Sequence, residues 1–164
     1  MTRKEITILL GDILYQQRFT GVGKYYASEV TIDYGTKDMC RVDYMQFIPP
    51  NQKGIFICYE VKSCLGDFKS GHGQNYIGEE NYLVMPMELY KKVIHDIPHD
   101  IGVLVPVPST LGRKNSDCWQ EFDNPTEFKG NSNDWRLHKI RDAYPKHRKK
   151  SMTELLFCML RSGR

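Results

Sequence analysis

The sequence lacks a long hydrophobic run. One of its most apolar stretches spans only residues 55–59, whereas a membrane-spanning helix needs about 20 apolar residues. We therefore expect no transmembrane segment. The first residues, MTRKEITILLGDILYQQ, resemble a secretory signal, but Asp12 interrupts the apolar run and no cleavage site of small residues follows. Thr2 and Glu5 have the spacing of a capping box, which predicts a helix here instead.

Cysteines are too few and too irregularly spaced for a disulfide framework. Their number is odd, and most lie in apolar segments: Cys40, Cys58, Cys64, Cys118 and Cys158. This usage predicts reduced thiols that pack inside a cytoplasmic protein. The sequence also lacks Cys or His at the spacing of zinc ligands, so His95 and His99 are predicted to be surface residues.

The chain has little net charge, +3 over 164 residues, but the charge is unevenly distributed. Residues 136–150 contain seven Lys or Arg and one Asp, a local charge of +6, so the remainder carries −3. Such a cluster can attract phosphate groups. It is equally compatible with a solvated stretch before the last helix. Under the first interpretation, Arg148, Lys149 and Lys150 are candidate contacts to nucleic acid.

The order of apolar and polar segments predicts an α/β protein with a mixed central sheet flanked by helices. A chain of this length can bury roughly 70% of the surface exposed on unfolding, so one domain (residues 1–164) without crosslinks is expected. The predicted order is αβββαβαβ, a long loop and a C-terminal helix. In residue numbers, a helix-containing core covers about 3–107, the loop covers 108–135, and the basic segment with the last helix covers 136–164. Strands are expected at 24–33, 40–48, 55–61, 82–85 and 101–107.

Two acids and a lysine meet in the second predicted hairpin. If the reversal is centred between Asn51 and Gln52, Asp43 lies directly opposite Glu60, and opposed residues share a face with Cβ atoms about 5 Å apart. Lys62 lies two residues further along the strand and shares the face of Glu60. Carboxylates this close repel each other unless a cation lies between them, and Mg²⁺ accepts such oxygen ligands. The spacing alone, however, favours a plain salt bridge on a solvated face.

Three short motifs in this region resemble those of the PD-(D/E)XK nuclease superfamily, which has the restriction-endonuclease-like fold. The motifs are Arg41-Val42-Asp43, Glu60-Val61-Lys62-Ser63 and Asp67-Phe68. Within that superfamily, the sequence resembles small DNA-repair nucleases of bacteria and phages, most of them uncharacterised. The resemblance covers about residues 25–107 and, weakly, the final helix. Val42 stands where the motif usually has proline.

This resemblance implies a restriction-endonuclease-like core and a metal-dependent nuclease that hydrolyses DNA during processing, repair or defence. Asp43 and Glu60 would be catalytic and bind Mg²⁺ or Mn²⁺, while Lys62 would activate or position the attacking water. Glu29, in the segment Ser28-Glu29-Val30-Thr31-Ile32, corresponds to a further metal-binding acid of some relatives. Gln74 and Tyr76 match residues that help to position the scissile strand, and Lys69 is a further candidate contact to nucleic acid.

Other interpretations remain open at this stage. The fold could serve as a catalytically silent module that binds nucleic acid or a protein partner, such as a phage accessory or inhibitor. It could also be a structural interaction domain in which the triad is a salt bridge. DNA is favoured over RNA as a partner, no membrane partner is expected, and a homodimer is left open. The segment Gly71-His72-Gly73 could contact phosphate through its backbone amides, although a flexible turn is favoured.

Overall fold

A computed structural model describes residues 1–162, which form one six-stranded mixed sheet. The strands are β1 (Tyr25–Ile32), β2 (Cys40–Ile48), β3 (Ile55–Val61), β4 (Glu80–Val84), β5 (Gly102–Pro108) and β6 (Trp135–Arg141). They lie side by side in chain order. The β3–β4 and β4–β5 pairs are parallel, and the other three pairs are antiparallel. The predicted mixed α/β sheet is therefore confirmed, with one strand more than expected.

Within the described residues, five α-helices cover the sheet. They are α1 (Arg3–Leu14), α2 (Leu65–Lys69), α3 (Met87–Val93), α4 (Asn115–Asp123) and α5 (Met152–Arg161), and a π-helical turn, Tyr15–Phe19, extends α1. The capping box of Thr2 and Glu5 is present at the start of α1, as predicted. No helix within residues 1–162 is long and apolar enough to cross a membrane.

The helices form layers on both faces of the sheet, because alternate residues of each strand face opposite sides. On one face, Leu10 and Leu14 of α1 are in one buried cluster with Tyr59 of β3. On the other face, α3 packs in a cluster with strands β4 and β5, and Leu155 of α5 packs in a cluster with strands β1 to β3. Glu60 is on this second face, because it alternates with Tyr59.

The hairpin between β2 and β3 has the register that the sequence predicts. The pairs run from Ile48↔Ile55 to Tyr44↔Tyr59. The turn is closed locally, because the Pro49 carbonyl accepts hydrogen bonds from the backbone N–H groups of residues 52, 53 and 54. This local closure fixes which residues of β2 and β3 face each other.

The predicted unbroken loop over residues 108–135 is wrong in part. It contains α4 and a short 3₁₀ turn, Ser132–Asp134, and its last residue begins β6. The basic segment of residues 136–150 therefore starts as a strand at the edge of the sheet. Of the seven residues in this strand only Trp135 is buried, and charged side chains on an edge strand discourage pairing with other chains.

Candidate active site

A polar cavity of about 580 Å³ opens where β2 separates from β3. Its walls come from five segments of the chain: the start of α1, the start of β2, the end of β3, helix α2 and the loop of residues 71–75. The lining residues include Arg3, Thr7, Cys40, Arg41, Asp43, Glu60, Lys62, Asp67, His72, Gly73 and Asn75. The structure thus brings together the three residues of the predicted triad, Asp43, Glu60 and Lys62.

Asp43 and Glu60 meet just beyond the last regular pair of the hairpin, Tyr44↔Tyr59. The prediction that Asp43 and Glu60 form a regular cross-strand pair is wrong, because hydrogen bonds to side chains take the place of backbone hydrogen bonds between the strands here. The Val61 N–H donates to Asp43 Oδ2 at 2.9 Å, and the Asp43 N–H donates weakly to Glu60 Oε2 at 3.5 Å. The divergence of the strands leaves space for both carboxyl groups to face the cavity.

Burial makes the ionised forms of both acids unfavourable. It is the main cause that raises the pKa of Glu60 from its ordinary value of 4.5 to about 8, and the neighbouring charge of Asp43 is the next cause. Burial also raises the pKa of Asp43, although the Val61 N–H and Lys62 oppose it. A hydrogen bond between the two carboxyl groups contributes to keeping a proton on Glu60. A cation bound between the acids would replace this proton.

Lys62 is almost completely buried, with 2% of its surface exposed. It follows β3 directly, and its backbone N–H donates to the Val84 carbonyl of the parallel strand β4 at 2.9 Å. Its Nζ donates to the His72 carbonyl and lies 3.6 Å from Glu60 Oε1. Lysines are rarely buried to this extent without a partner. The salt bridge that the spacing favours is present between Lys62 and Glu60, but it is buried and does not lie on a solvated face, since Glu60 is only 8% exposed.

Asp67, the acid of the Asp67-Phe68 motif, forms hydrogen bonds that connect two walls of the cavity. Its Oδ2 accepts hydrogen bonds from the Ser63 backbone N–H at 3.1 Å and from Ser63 Oγ at 3.3 Å. Its Oδ1 accepts one from Arg3 Nη2 at 2.7 Å, which links α2 to α1. Sequence reasoning missed Arg3, because no local pattern indicates a partner 64 positions away.

Glu29, the predicted fourth acid, is not among the residues that line the cavity. It lies in β1 between residues paired with Val42 and Tyr44 of β2. Its backbone is left-handed, with φ of 52°, and its side chain is 66% exposed. Its Oε2 lies 3.4 Å from Arg41 Nη1. The structure therefore places Glu29 in a surface ion pair and not with Asp43 and Glu60, and its role as a metal ligand remains a prediction.

Gln74 and Tyr76 lie in the loop after α2, where their hydrogen bonds stabilise the conformation of the loop. Gln74 Nε2 donates to the Phe68 carbonyl at 2.7 Å, and the Tyr76 hydroxyl lies 3.5 Å from Gln74 Oε1. Burial, followed by the nearby charge of Glu60, raises the pKa of Tyr76 to about 12. Lys69 is exposed at the end of α2. Contacts of these three residues with nucleic acid stay a prediction.

The cationic side chains of residues 148–150 have partners within the protein. Arg148 Nη1 lies 2.6 Å from Glu79 Oε1, Lys150 Nζ lies 2.8 Å from Asp33 Oδ1, and Lys149 Nζ donates to the Asn75 carbonyl. Backbone N–H groups of residues 146 and 149 also donate to carbonyls of residues 79 and 77. The segment is thus ordered against the chain before β4 and is not a solvated linker. Its affinity for phosphate stays a prediction.

Replacing Arg148 with alanine is expected to lower the free energy of unfolding by about 1–3 kcal/mol, because Glu79 then loses a partner for its mostly buried charge. The Glu79 side chain also accepts a hydrogen bond from the Phe56 backbone N–H at 2.8 Å, and this bond keeps the carboxylate next to the sheet. Urea unfolding checks this value. Arg113→Ala, at an exposed loop position, is the control. Equal stability of the two variants would contradict a structural role for Arg148.

The donor set in the cavity fits a hydrated hard cation better than a fully protein-bound one. No group of three or more His, Cys, Asp or Glu side chains within residues 1–162 is arranged to hold a metal ion. Two carboxylates are nevertheless sufficient for Mg²⁺, which retains several waters and is often bound through one or two acids together with phosphate oxygens. Asp43 and Glu60 would be these ligands.

The comparisons with known proteins add information about the fold only. No model of a protein family matches the chain, and no curated protein matches it. A solved structure, the SPO1766 protein of unknown function from Silicibacter pomeroyi, is similar to 98% of this chain and to 85% of its own chain. The TM-score is 0.55 at 16% sequence identity. This similarity concerns the fold alone, and the function of that protein is unknown.

Proposed function

We propose that the protein is a metal-dependent nuclease that hydrolyses phosphodiester bonds of DNA, with a restriction-endonuclease-like core. One observation carries the proposal: Asp43, Glu60 and Lys62 converge in one polar cavity, and two of these three charged residues are buried. Burying such groups costs free energy unless they are paired or have a ligand. Concentrating them at one end of a sheet is typical of a reactive site.

The two acids have the arrangement that binding a divalent ion requires. They belong to neighbouring strands that diverge at this point, and both face the cavity. When bound, Mg²⁺ would polarise a phosphate oxygen and stabilise the charge that develops during attack. Asp43 is oriented for this task by the Val61 N–H, which fixes one of its oxygens. Glu60 would release its proton when the cation binds.

Lys62 is positioned to act on the attacking water. Its ammonium group is next to Glu60 but is held by the His72 carbonyl, so it does not depend on the carboxylate for its position. A fixed positive charge at the edge of the cavity can orient a water molecule and stabilise negative charge on the phosphate. Because the ammonium is a donor only, it takes no part in binding the cation.

The decisive experiment incubates the protein with single-stranded, duplex and branched DNA, and with RNA, in the presence of Mg²⁺, Mn²⁺ or EDTA. We expect cleavage of DNA with either metal and none with EDTA. Asp43→Asn should lose both cleavage and the rise in melting temperature that Mg²⁺ gives, since it removes one of two anionic ligands. Asp38→Asn, in the exposed loop before β2, should behave as the unchanged protein.

Binding of DNA without cleavage under all metal conditions would contradict the proposal. That result would instead support the silent module that the sequence leaves open. Absence of both DNA binding and Mg²⁺-dependent stabilisation would indicate that the buried charges have only a structural role.

A further inference from the structure

The loop of residues 70–75, between α2 and β4, packs directly on the carboxyl group of Glu60. The contact is made by Gly73, which has a left-handed backbone with φ of 75°. A Cβ atom at Gly73 would lie 1.5 Å from Glu60 Oε1, 2.2 Å from its Cδ and 2.9 Å from its Oε2. No side chain fits at this position while Glu60 keeps its place.

The same loop holds Lys62 through the His72 carbonyl, which accepts a hydrogen bond from Nζ. The loop itself is fixed at several points. Gln74 contacts the Phe68 carbonyl through its side chain and the Gly71 carbonyl through its backbone N–H. The Asn75 carbonyl accepts a hydrogen bond from Lys149. The turn that the sequence favours is therefore present, and these hydrogen bonds anchor it to its surroundings.

We propose that Gly73 is a positioning residue, whose bare Cα allows the Glu60 carboxyl group to lie beside Asp43 where both acids can bind one cation. This inference rests on the proposed function and adds a residue to it. A side chain at position 73 would push the Glu60 carboxyl group away from its present place. Lys62 would keep its hydrogen bond, because the acceptor is the backbone carbonyl of His72 and the substitution changes only the side chain at position 73.

A positive φ alone also favours glycine, so this cause must be separated from the contact with Glu60. Gly35, in the exposed turn between β1 and β2 and outside the cavity, provides the matched control. Its φ is 77°, close to that of Gly73, but nothing lies within 4 Å of a Cβ atom built there. Gly35→Ala therefore includes the cost of a left-handed alanine without the collision. Any larger effect of Gly73→Ala measures the contact with Glu60.

The first test uses thermal unfolding in EDTA, so it depends on neither metal nor activity. We expect Gly73→Ala to lower the melting temperature more than Gly35→Ala does. In a Glu60→Ala background the excess should disappear, because the colliding carboxyl group is gone. An equal effect of the two variants, or an excess that persists without Glu60, would overturn the proposal. If Gly73→Ala does not fold, folding of the double variant Glu60→Ala/Gly73→Ala supports it, and failure of both overturns it.

The second test asks whether the contact matters for the site. Mg²⁺ should raise the melting temperature of Gly35→Ala but not of Gly73→Ala, whereas a merely structural role of Gly73 would leave the increment in melting temperature unchanged. For cleavage of DNA, kcat of Gly73→Ala should fall by about 100-fold, the usual effect of misplacing a reacting group by about 1 Å. KM for DNA should be unchanged.

The two proposals can fail separately. If the unchanged protein neither binds Mg²⁺ nor cleaves DNA, the nuclease proposal fails, and the comparison in EDTA still decides whether Gly73 fixes Glu60. If the unchanged protein binds Mg²⁺ and Gly73→Ala binds it equally well, the positioning role fails and the nuclease proposal stands.

Discussion

Methionine in place of Lys62 is expected to reduce cleavage of DNA by about 100- to 1000-fold, the usual loss when a fixed electrostatic donor is removed from an active site. Methionine keeps an unbranched, flexible stem that can fill most of the buried space, while the ammonium group is lost. Binding of Mg²⁺ should persist and can become tighter, because a positive charge next to Glu60 is gone. Steady-state cleavage at saturating Mg²⁺ measures the first effect, and calorimetric titration with Mg²⁺ measures the second.

The combination of lost cleavage and retained metal binding distinguishes Lys62 from the two acids. Asp43→Asn should lose both properties, so the two variants together separate the ligands from the group that acts on water. Lys37→Met, in the exposed loop between β1 and β2, controls for the loss of one lysine. If Lys62→Met cleaves DNA as fast as this control does, Lys62 has no part in the reaction.

The hairpin that carries Asp43 and Glu60 could be predicted because its determinants are local. The segment Pro49 to Gly54 closes on itself through the Pro49 carbonyl, and the residues on each side alternate as strands do. Once the turn is centred, the register of β2 and β3 follows. The sequence could not show that regular pairing stops after Tyr44 and Tyr59, because no local pattern indicates that the Val61 N–H donates to the side chain of Asp43 beyond that pair.

The parts of the site that sequence reasoning missed depend on long-range contacts. Arg3 reaches Asp67 across 64 positions, and Gly73 contacts Glu60 from a loop that precedes a different strand. In the sequence, Gly73 is part of a Gly-His-Gly segment, and such a segment predicts a turn but no specific contact. What makes the position special is the carboxyl group packed against it. That contact exists only when β3, α2 and the loop are folded together.

The edge strand β6 was missed for a related reason. Its residues Trp135–Arg141 include Lys and Arg side chains that interrupt the alternation of apolar and polar residues typical of a strand. The sequence therefore contains only a weak indication of a strand. Edge strands are exposed on one side and often carry charge, so they lack the continuous apolar character of β3 or β5. Position in the sheet, and not local propensity, determined this element.

In EDTA, the free energy of unfolding is expected to fall as pH rises from about 5 to 8, because of Glu60. Burial raises the pKa of Glu60 to about 8, whereas the unfolded chain has the ordinary value of 4.5. Between these values the native state retains a proton that the unfolded state has released, so raising the pH favours unfolding. The contribution from Glu60 is fully present below pH 4.5 and is lost as pH approaches 8. Its maximal slope is about 1.4 kcal/mol per pH unit.

Glu60→Gln should remove this dependence, because glutamine has no proton to release. The difference between the two proteins is the quantity to measure, by urea unfolding at a series of pH values. Subtracting the two profiles cancels contributions that both proteins share. One of these is His138, whose pKa is lowered by burial, so that its contribution to the free energy of unfolding rises with pH. Glu88→Gln, at an exposed position in α3, controls for the loss of a carboxyl group.

Saturating Mg²⁺ should change the sign of the contribution from Glu60. A bound cation favours the ionised carboxylates, so the stabilisation that Mg²⁺ provides should increase with pH over the range in which the metal-free protein loses stability. In Glu60→Gln this increase should be absent. Identical pH profiles of the unchanged protein and Glu60→Gln in EDTA would mean that Glu60 ionises as readily in the folded protein as in the unfolded chain. The ammonium group of Lys62, 3.6 Å from Glu60 Oε1, would then offset both burial and the charge of Asp43, and ionisation of Glu60 would not make Mg²⁺ binding depend on pH between 5 and 8.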